Sequence, residues 1–449
     1  MASTARRASL LVFLLISMSW LSLVSGADND GDGVDDSIDD CPYAAGTSSV
    51  DRDGCPDRDG DGTSDFNDGW ASINPNFAKD VSVTTTYDFN DVDHSPDGSA
   101  IATSDDSGYL RLWNATTGTN FRSANVGGNL ASVSWSGDGR FVGVTKDDDT
   151  AHVFYANNMS SVHGTISADV GGGDNAYEID LSPDGEMAAI AIGRSGNGGT
   201  NGVVRIINMT DASVIQNLNP GGENEFYSVE FSPSGGHLII GSEDDFYVVE
   251  TSTWSTVKSE NDPGGDVNSV DWSPDGQHLA ICEGWNGNGA VTRLYEAGSW
   301  ALKWSKSTTT SCYSSDFSPD GRQVVFGMGW YRDDGATAKI YDVSTGNIVA
   351  SIVQPRPSNC SSGTYNSNAC GQNNGLSWSP DGLRIAQAFG KRNVGLYIWF
   401  ADLDPDNDGW NTSDQGDGKT DAFPDDGTQW NDTDNDGFGD NPLPASQGD

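Results

Sequence analysis

Short runs of alternating apolar and polar residues fill the middle of the chain, and the same kind of turn joins successive runs. The clearest copy lies at residues 272–276 and reads Trp-Ser-Pro-Asp-Gly. Proline fixes the first corner of a type I turn, serine and aspartate bond to the nearby backbone, and glycine takes the left-handed exit. Val270 before the turn and Leu279 and Ile281 after it keep the two-residue period of half-buried strands. This stretch is therefore predicted to form a β-hairpin.

The turn recurs along the chain at a regular interval. Its serines are separated by 41, 46, 50, 41, 45 and 61 residues, a period typical of four-stranded propeller blades. An apolar strand, a polar loop and a third strand follow each turn. Residues 73–401 are therefore predicted to form an all-β, seven-bladed β-propeller. The seven turns lie at residues 94–98, 135–139, 181–185, 231–235, 272–276, 317–321 and 378–382.

The last blade is predicted to lack its outer strand, because acidic sequence begins directly after Trp399 and Phe400. Residues 79–85 precede the first turn and have no blade of their own. We expect them to supply the missing strand, which would close the ring and bury both edges.

This layout resembles the WD-repeat and related seven-bladed β-propellers over most of residues 73–401. The spacing agrees, but the Gly-His and Trp-Asp dipeptides of that family are missing. Residues 112–114 and 340–342 come nearest to the second dipeptide. The resemblance therefore implies the fold, and the hydrogen-bonded tetrad that braces those proteins is not assumed.

Composition and charge restrict the fold class and the classes of partner that the protein can bind. The 449 residues include 56 Gly and 17 Pro, which favours a turn-rich β protein. The formal net charge of −43 makes nucleic acid and anionic lipid poor partners. The acids are concentrated at both ends: residues 27–72 hold 14 Asp and residues 402–449 hold another 14, out of 66 acidic residues.

The first 26 residues are predicted to be a signal peptide. Arg6 and Arg7 precede an apolar run over residues 10–24, and small residues for cleavage follow at 25–26. The alternative is an uncleaved membrane anchor, although the run is short for a span. We expect an extracellular or cell-surface protein with no membrane span after signal removal.

Six cysteines in an exported chain favour disulfides. Six allow about 15 pairings, and the sequence does not choose among them. Position narrows the choice: Cys41 and Cys55 share the N-terminal acidic segment and Cys360 and Cys370 bracket one loop, which leaves Cys282 and Cys312.

Within residues 27–72, one spacing of aspartates and glycine occurs twice. Alternate aspartates on a tight loop can converge on one hard cation, and glycine allows the sharp turn. Calcium is the cation implied, since the available ligands are oxygens. The bidentate Glu that ends an EF-hand loop is absent. The proposed ligands are Asp28, Asp30, Asp32, Asp36 and Asp39 in the first copy, and Asp57, Asp59, Asp61, Asp65 and Asp68 in the second.

This spacing, together with Cys41 and the Asp-Arg-Asp-Gly-Cys-Pro sequence at residues 51–56, resembles thrombospondin type 3 repeats. The resemblance implies a calcium-wrapped spacer with little apolar core, whose order depends on the ion and on a Cys41–Cys55 disulfide. The second copy departs from the pattern, because Gly69 and Trp70 replace Cys-Pro. The alternative is a disordered acidic linker without a specific metal.

The acidic spacing returns in residues 402–449. The predicted fold is therefore a seven-bladed β-propeller with irregular calcium-binding acidic repeats at both ends. We expect this last segment to be a piece of a longer repeat region. Its proposed calcium ligands are Asp404, Asp406 and Asp408 in a weaker site, and Asp432, Asp434, Asp436 and Asp440 in a better one.

The predicted binding face lies opposite the repeated turns. There the loops at residues 193–202, 283–289 and 327–335 are enlarged, and they carry Trp285, Trp330 and Tyr331. Long loops on a rigid scaffold commonly bind ligands, and exposed aromatic residues suit protein or carbohydrate. These three residues are the ligand-face candidates. The alternative is that Trp285 and Trp330 pack inward over the blade ends.

No catalytic motif is found, so we expect a binding protein rather than an enzyme. The first hypothesis is an exported or cell-surface calcium-binding propeller that acts as a protein- or glycan-binding adhesion or scaffold module. The alternative is a secreted propeller hydrolase or quinoprotein-type oxidoreductase with its site at the central channel. Convergent acids or histidines at the channel would favour that alternative. A third possibility is a purely structural spacer.

Overall fold

The protein is described here by a computed structural model that covers residues 33–34, 38, 47–50, 76–168, 174–194, 202–243, 245–261, 265–284, 290–308, 311–328, 336–353, 372–390 and 395–402. The strands within these ranges form seven antiparallel sheets of four strands each. The predicted all-β, seven-bladed propeller is therefore confirmed. Among these residues, no helix is long and apolar enough to cross a membrane.

The strands follow one another in blade order, and the first strand of each blade lines the central axis. Before blade 1 comes β1 (Asn76–Thr84). Blade 1 contains β2 (Phe89–His94), β3 (Ala100–Asp105), β4 (Tyr109–Asn114) and β5 (Asn120–Asn125). Blade 2 contains β6 (Leu130–Trp135), β7 (Phe141–Lys146), β8 (Thr150–Tyr155) and β9 (Ser161–Ser167). Blade 3 contains β10 (Asp174–Leu181), β11 (Met187–Arg194), β12 (Val203–Asn208) and β13 (Val214–Leu218).

The remaining blades repeat the arrangement. Blade 4 contains β14 (Phe226–Phe231), β15 (His237–Ser242), β16 (Asp245–Glu250) and β17 (Ser255–Asn261). Blade 5 contains β18 (Val267–Trp272), β19 (His278–Glu283), β20 (Ala290–Glu296) and β21 (Ala301–Thr308). Blade 6 contains β22 (Cys312–Phe317), β23 (Gln323–Met328), β24 (Ala336–Asp342) and β25 (Ile348–Val353). Blade 7 contains β26 (Gln372–Trp378), β27 (Arg384–Gly390) and β28 (Gly395–Asp402).

The repeated turn has the hydrogen bonds that its residues predict. In blade 5, Ser273 Oγ donates to Asp275 Oδ1 at 2.6 Å and accepts from the His278 N–H at 2.8 Å. Gly276 has a φ of 66°, which glycine adopts without strain. These turns and the links between the third and fourth strands share one face, called the turn face. The loops between the second and third strands and the links between blades lie on the other, called the loop face.

The predicted closing strand is confirmed. β1 pairs antiparallel with β28 as the outer strand of blade 7, with Val81 opposite Ile398 and Val83 opposite Leu396. Asn76 and Asp402 are paired at the end of this ladder, on the turn face. The N-terminal and C-terminal ends of the propeller therefore lie side by side on that face.

Apolar layers between adjacent blades form the core. In one of them, Phe226 and Phe231 of blade 4 pack on Ala189 and Ala191 of blade 3. A disulfide between Cys282 of β19 and Cys312 of β22 joins blades 5 and 6, with the two Cα atoms 5.4 Å apart. This confirms one predicted cysteine pair. Closing a loop of this size stabilises a fold by about 3–4 kcal/mol in the chain-entropy account. The other predicted pairs, Cys41 with Cys55 and Cys360 with Cys370, lie outside the described residues.

Replacing Val81 and Val83 together with Asn is expected to lower the free energy of unfolding by about 2–4 kcal/mol, since both half-buried side chains pack on the core between blades 7 and 1. The measurement is denaturant unfolding of the full chain. Ser82→Asn on the exposed side of the same strand is the control and should change stability by less than about 0.5 kcal/mol. Equal effects of both changes would contradict a closing role for β1.

Candidate functional site: the central channel

Polar side chains from the innermost strands line a cavity of about 270 Å³ on the propeller axis. They come mainly from two rows, because alternate residues of a strand point to the same side. The inner row, two residues before each turn serine, is Asp93, Ser134, Asp180, Glu230, Asp271, Asp316 and Ser377. The outer row, nearer the loop face, lines the cavity with Asp91, Ser132, Glu178, Ser269 and Ser314; Ser228 and Gly375 hold the same position in blades 4 and 7 without lining it.

The inner row links adjacent blades by hydrogen bonds at six of the seven junctions. Each of these side chains accepts a bond from a backbone N–H of the first strand in the next blade. The bonds run from Trp135 to Asp93 at 2.7 Å, Leu181 to Ser134 at 3.3 Å, Phe231 to Asp180 at 2.7 Å, Trp272 to Glu230 at 2.8 Å, Trp378 to Asp316 at 2.5 Å and His94 to Ser377 at 3.1 Å. At the junction of blades 5 and 6, the Phe317 N–H lies near enough to Asp271 to lower the pKa of its carboxyl. Buried N–H groups on a strand edge need such partners.

Side chains of the outer row accept the same kind of backbone hydrogen bond at several junctions. Its bonds run from Val133 N–H to Asp91 at 3.0 Å, Ile179 N–H to Ser132 at 3.0 Å, Val229 N–H to Glu178 at 2.9 Å and Ser315 N–H to Ser269 at 3.1 Å. At the mouth on the loop face, three asparagines donate to a carbonyl of the next blade. These bonds are Asn90 to Leu130 at 2.7 Å, Asn268 to Cys312 at 2.8 Å and Asn374 to Phe89 at 2.7 Å.

Three tyrosines complete the mouth of the channel. Tyr177, Tyr227 and Tyr313 hold the same strand position as these asparagines and are half-buried. Tyr177 and Tyr227 contact edge to face with ring centroids 5.3 Å apart, and the Tyr227 hydroxyl donates to Glu225. Burial raises the pKa of both hydroxyls above the ordinary value. The channel mouth therefore presents neutral aromatic side chains with acids beneath them.

Burial is the main influence on the channel carboxyls. It raises the pKa of Asp91, Asp93, Asp180 and Asp271 to about 7, although the backbone N–H bonds oppose the rise. Burial and repulsion from neighbouring carboxylates raise the pKa of Glu178, Glu230 and Asp316 as well. Several of these groups therefore hold protons near neutral pH, which limits the repulsion within the channel.

Acidic side chains that converge on the channel are the feature expected to favour the enzyme alternative. The hydrogen bonds give Asp93, Asp180, Glu230 and Asp316 a structural role between blades, because one oxygen of each accepts a backbone N–H. Among the described residues, no group of three or more His, Cys, Asp and Glu side chains is arranged to hold a metal ion. The channel geometry alone therefore supports bracing of the ring.

His94 is the one channel-strand histidine that the sequence marked as unusual. It is buried, and its Nδ1 lies 3.1 Å from Ser377 Oγ. Burial lowers its pKa to about 4, so the ring is neutral at physiological pH. His237 and His278 begin equivalent strands in blades 4 and 5.

Most residues that the sequence proposed as sites lie outside the described residues. These are the ligand-face candidates Trp285, Trp330 and Tyr331 and every proposed calcium ligand. The strands that bound the loops of the three aromatic residues end on the loop face: β19 ends at Glu283 and β23 at Met328. The channel carboxyls were missed by the sequence analysis. Their signal was an acid two residues before five of the seven turn serines.

The stability of the propeller is expected to fall as pH rises from about 4 to about 7 and to level off above that. The ordinary pKa of aspartate is 3.8, and folding raises four of these groups to about 7. The folded state therefore binds more protons than the unfolded state within this window. His94 opposes the trend between its lowered pKa of about 4 and its ordinary 6.5, but it is a single group. Chemical unfolding across pH checks the slope.

Two substitutions at one channel acid separate charge from hydrogen bonding. Asp180→Asn keeps an oxygen for the Phe231 N–H and removes the charge, so it should stabilise the fold by about 1–3 kcal/mol near pH 8 and little near pH 5. Asp180→Ala removes the acceptor and should destabilise by about 1–3 kcal/mol near pH 5. Destabilisation by the Asn variant at both pH values would contradict this account.

Comparison with known proteins agrees with the geometry. Residues 81–114 and 254–288 match the family described as WD domain, G-beta repeat. Protein HIRA of Dictyostelium discoideum is 27% identical over 135 residues, which cover 25% of this chain and 12% of that protein. The chain thus spans only a small part of the length of this relative.

A solved structure shows the same fold. The β-propeller domain of Cps50 (Swd1) from Myceliophteria thermophila, known from its crystal structure, superposes with a TM-score of 0.58 over 73% of this chain and 100% of that domain. The sequence identity is 15%, so this likeness concerns the fold alone. With the matched repeats, it identifies the chain as one that carries WD40 repeats in a seven-bladed β-propeller.

Proposed function

We propose that the chain is an exported or cell-surface calcium-binding propeller that acts as a protein- or glycan-binding adhesion or scaffold module. One observation carries the proposal. Asn76 and Asp402 are paired on the turn face, so the acidic segments before and after the propeller are attached to that face. The loop face, with the channel mouth and the enlarged loops, is left clear of these attachment points.

The Cys282–Cys312 disulfide supports export. Disulfides persist in oxidising compartments and are rare in reducing ones. This one lies within the buried core between two blades, where both cysteines have no exposed surface. Together with the predicted signal peptide over residues 1–26, it favours an extracellular location.

The channel mouth supports binding through the loop face. Tyr177, Tyr227 and Tyr313 offer aromatic surface around the channel, and tyrosine is enriched where proteins bind partners. Propellers with WD40 repeats generally mediate protein interactions. A protein partner follows from this general role, while a glycan partner follows from the aromatic and amide side chains at the mouth.

Replacing Tyr177 and Tyr313 together with Ser is expected to weaken binding of the full chain by about tenfold or more, because aromatic residues supply much of the energy of an interface. The measurement is binding of the labelled full chain to a glycan array and to intact cells. Tyr155→Ser is the matched control, since Tyr155 is exposed at the turn-face end of β8. Equal binding by the two variants would remove the loop face from the proposal.

Calcium titration of the full chain is expected to show several sites in the acidic segments. Replacing Asp432, Asp434 and Asp436 together with Asn should remove one of them, since charged oxygen ligands set calcium affinity. Asp211→Asn, an exposed change on the propeller, is the control and should leave the stoichiometry unchanged. Isothermal titration calorimetry measures both. An absence of heat in millimolar calcium would show that the segments do not bind the ion.

The channel carboxyls favour a second candidate, the secreted propeller hydrolase or oxidoreductase. They supply acids of raised pKa at one site, as general acid–base chemistry requires. WD40 propellers are typically scaffolds without catalysis, and the bracing bonds account for these acids. We therefore place the binding function first.

A further inference from the structure

A second surface, on the turn face, has the construction of a ligand site. A groove of about 670 Å³ opens between blades 4 and 5. Its floor consists of His237, Trp272 and Trp300, and we call it the aromatic groove. Pro233 and Pro274, from the repeated turns of the two blades, border it. The volume lies within the range of ordinary ligand pockets.

The three rings form one continuous aromatic surface. The centroid of Trp272 lies 6.1 Å from that of His237 and 6.3 Å from that of Trp300, and the His237 and Trp300 centroids are 5.9 Å apart. Trp272 is 5% exposed, whereas Trp300 and His237 are half-buried. Val257, on the outer strand of blade 4, extends the apolar surface with 43% of its area exposed.

Trp300 occupies a backbone conformation that disfavours large side chains. Its φ is 56°, in the turn between the third and fourth strands of blade 5. The same turn position holds Gly118 in blade 1 and Gly346 in blade 6, with φ of 62° and 66°. Left-handed backbone costs a non-glycine residue on the order of 1 kcal/mol. The ring of Trp300 therefore forms part of the groove floor despite the conformational cost at its backbone.

The buried indole of Trp272 has an unused hydrogen-bond donor. Its Nε1 has no partner among the described residues. The equivalent Trp378 of blade 7 donates from Nε1 to the Gly382 carbonyl at 2.9 Å. Trp135 of blade 2 is also unpartnered, but there the corresponding turn residue is Met159 rather than a tryptophan. A buried donor without a partner costs about 1–3 kcal/mol, so Trp272 packs beneath the groove at a local energetic cost.

These features select the chemistry of the ligand. The net charge of −43 disfavours an anion. The exposed parts of the aromatic rings, bordered by proline, suit apolar rings of a ligand. A proline-containing peptide in the extended polyproline conformation presents pyrrolidine rings and free carbonyls together, and aromatic-lined grooves bind such peptides.

We propose that the aromatic groove docks an extended, proline-containing, neutral or basic segment of a partner protein. This deepens the proposed binding function, on which it rests, and assigns it a second surface. Prolines of the segment pack on Trp300 and on the exposed side chain of Val257. Basic residues of the segment face the acidic surface of the protein.

The test uses the full chain and labelled peptides of equal length: decaproline, a peptide alternating proline and lysine, and a glycine–serine peptide. Fluorescence anisotropy should show saturable binding of the two proline peptides and none of the third. Trp300→Ala should weaken binding by about tenfold or more.

The matched control is Trp254→Ala, because Trp254 holds the same turn position in blade 4 with a φ of 56° and does not line the groove. It should leave peptide binding unchanged while it reports any loss of stability from removing a tryptophan there. The Tyr177 and Tyr313 changes at the loop face should also leave peptide binding unchanged, which separates this proposal from the loop-face one.

Three results would overturn the proposal. The first is no saturable binding of either proline peptide, and the second is equal binding by the Trp300→Ala and Trp254→Ala variants. The third is saturable binding of a neutral hexasaccharide, abolished by Trp300→Ala, with no binding of peptide. That last result would assign the aromatic groove to a glycan.

Discussion

The closed ring depends on hydrogen-bond acceptors for the backbone N–H groups along the inner edges of the innermost strands. Each of these strands is bonded to the rest of its blade along one edge only, so N–H groups on the other edge are buried without a strand partner. A side chain from the preceding blade accepts one of them at six of the seven junctions, as Asp180 does for Phe231 and Ser377 for His94. Because one of these bonds joins blade 7 to blade 1, the full set can form only when the ring is closed.

This solution explains why acids accumulate in an apolar interior. Aspartate and glutamate can accept these N–H bonds in either protonation state, and five inner-row positions are acidic. Burying these acids together disfavours their charged forms, so protons are retained near neutral pH, most clearly where Glu230 and Asp271 are neighbours. The inner row therefore makes the stability of the ring depend on pH. β1 complements it at the periphery, where the ladder of Val81 and Val83 with β28 holds the ends of the chain together.

The sequence predicts the parts of this fold that repeat locally. The turn at Ser273 carries its own hydrogen-bond pattern in five consecutive residues, and its recurrence fixes the number of blades. The leftover strand before blade 1 and the Cys282–Cys312 pair follow by counting. Contacts between blades cannot be predicted in this way, because partners such as Asp180 and Phe231 are 51 residues apart and no local pattern links them. The aromatic groove is hidden for the same reason: His237 belongs to blade 4, and Trp272 and Trp300 to blade 5.

The turn face is more varied in the folded protein than its repeated turn sequences indicate. In the sequence, the turns of this face are nearly uniform, whereas the loops of the loop face differ from blade to blade. In three dimensions, uniform turns place equivalent residues side by side, so a single large residue at one position changes the surface between two blades. Trp300 is such a residue: the same position holds glycine, methionine or alanine in blades 1, 2, 3 and 6 and a second tryptophan, Trp254, in blade 4. The regular scaffold therefore makes a local departure on this face as informative as a long loop on the other.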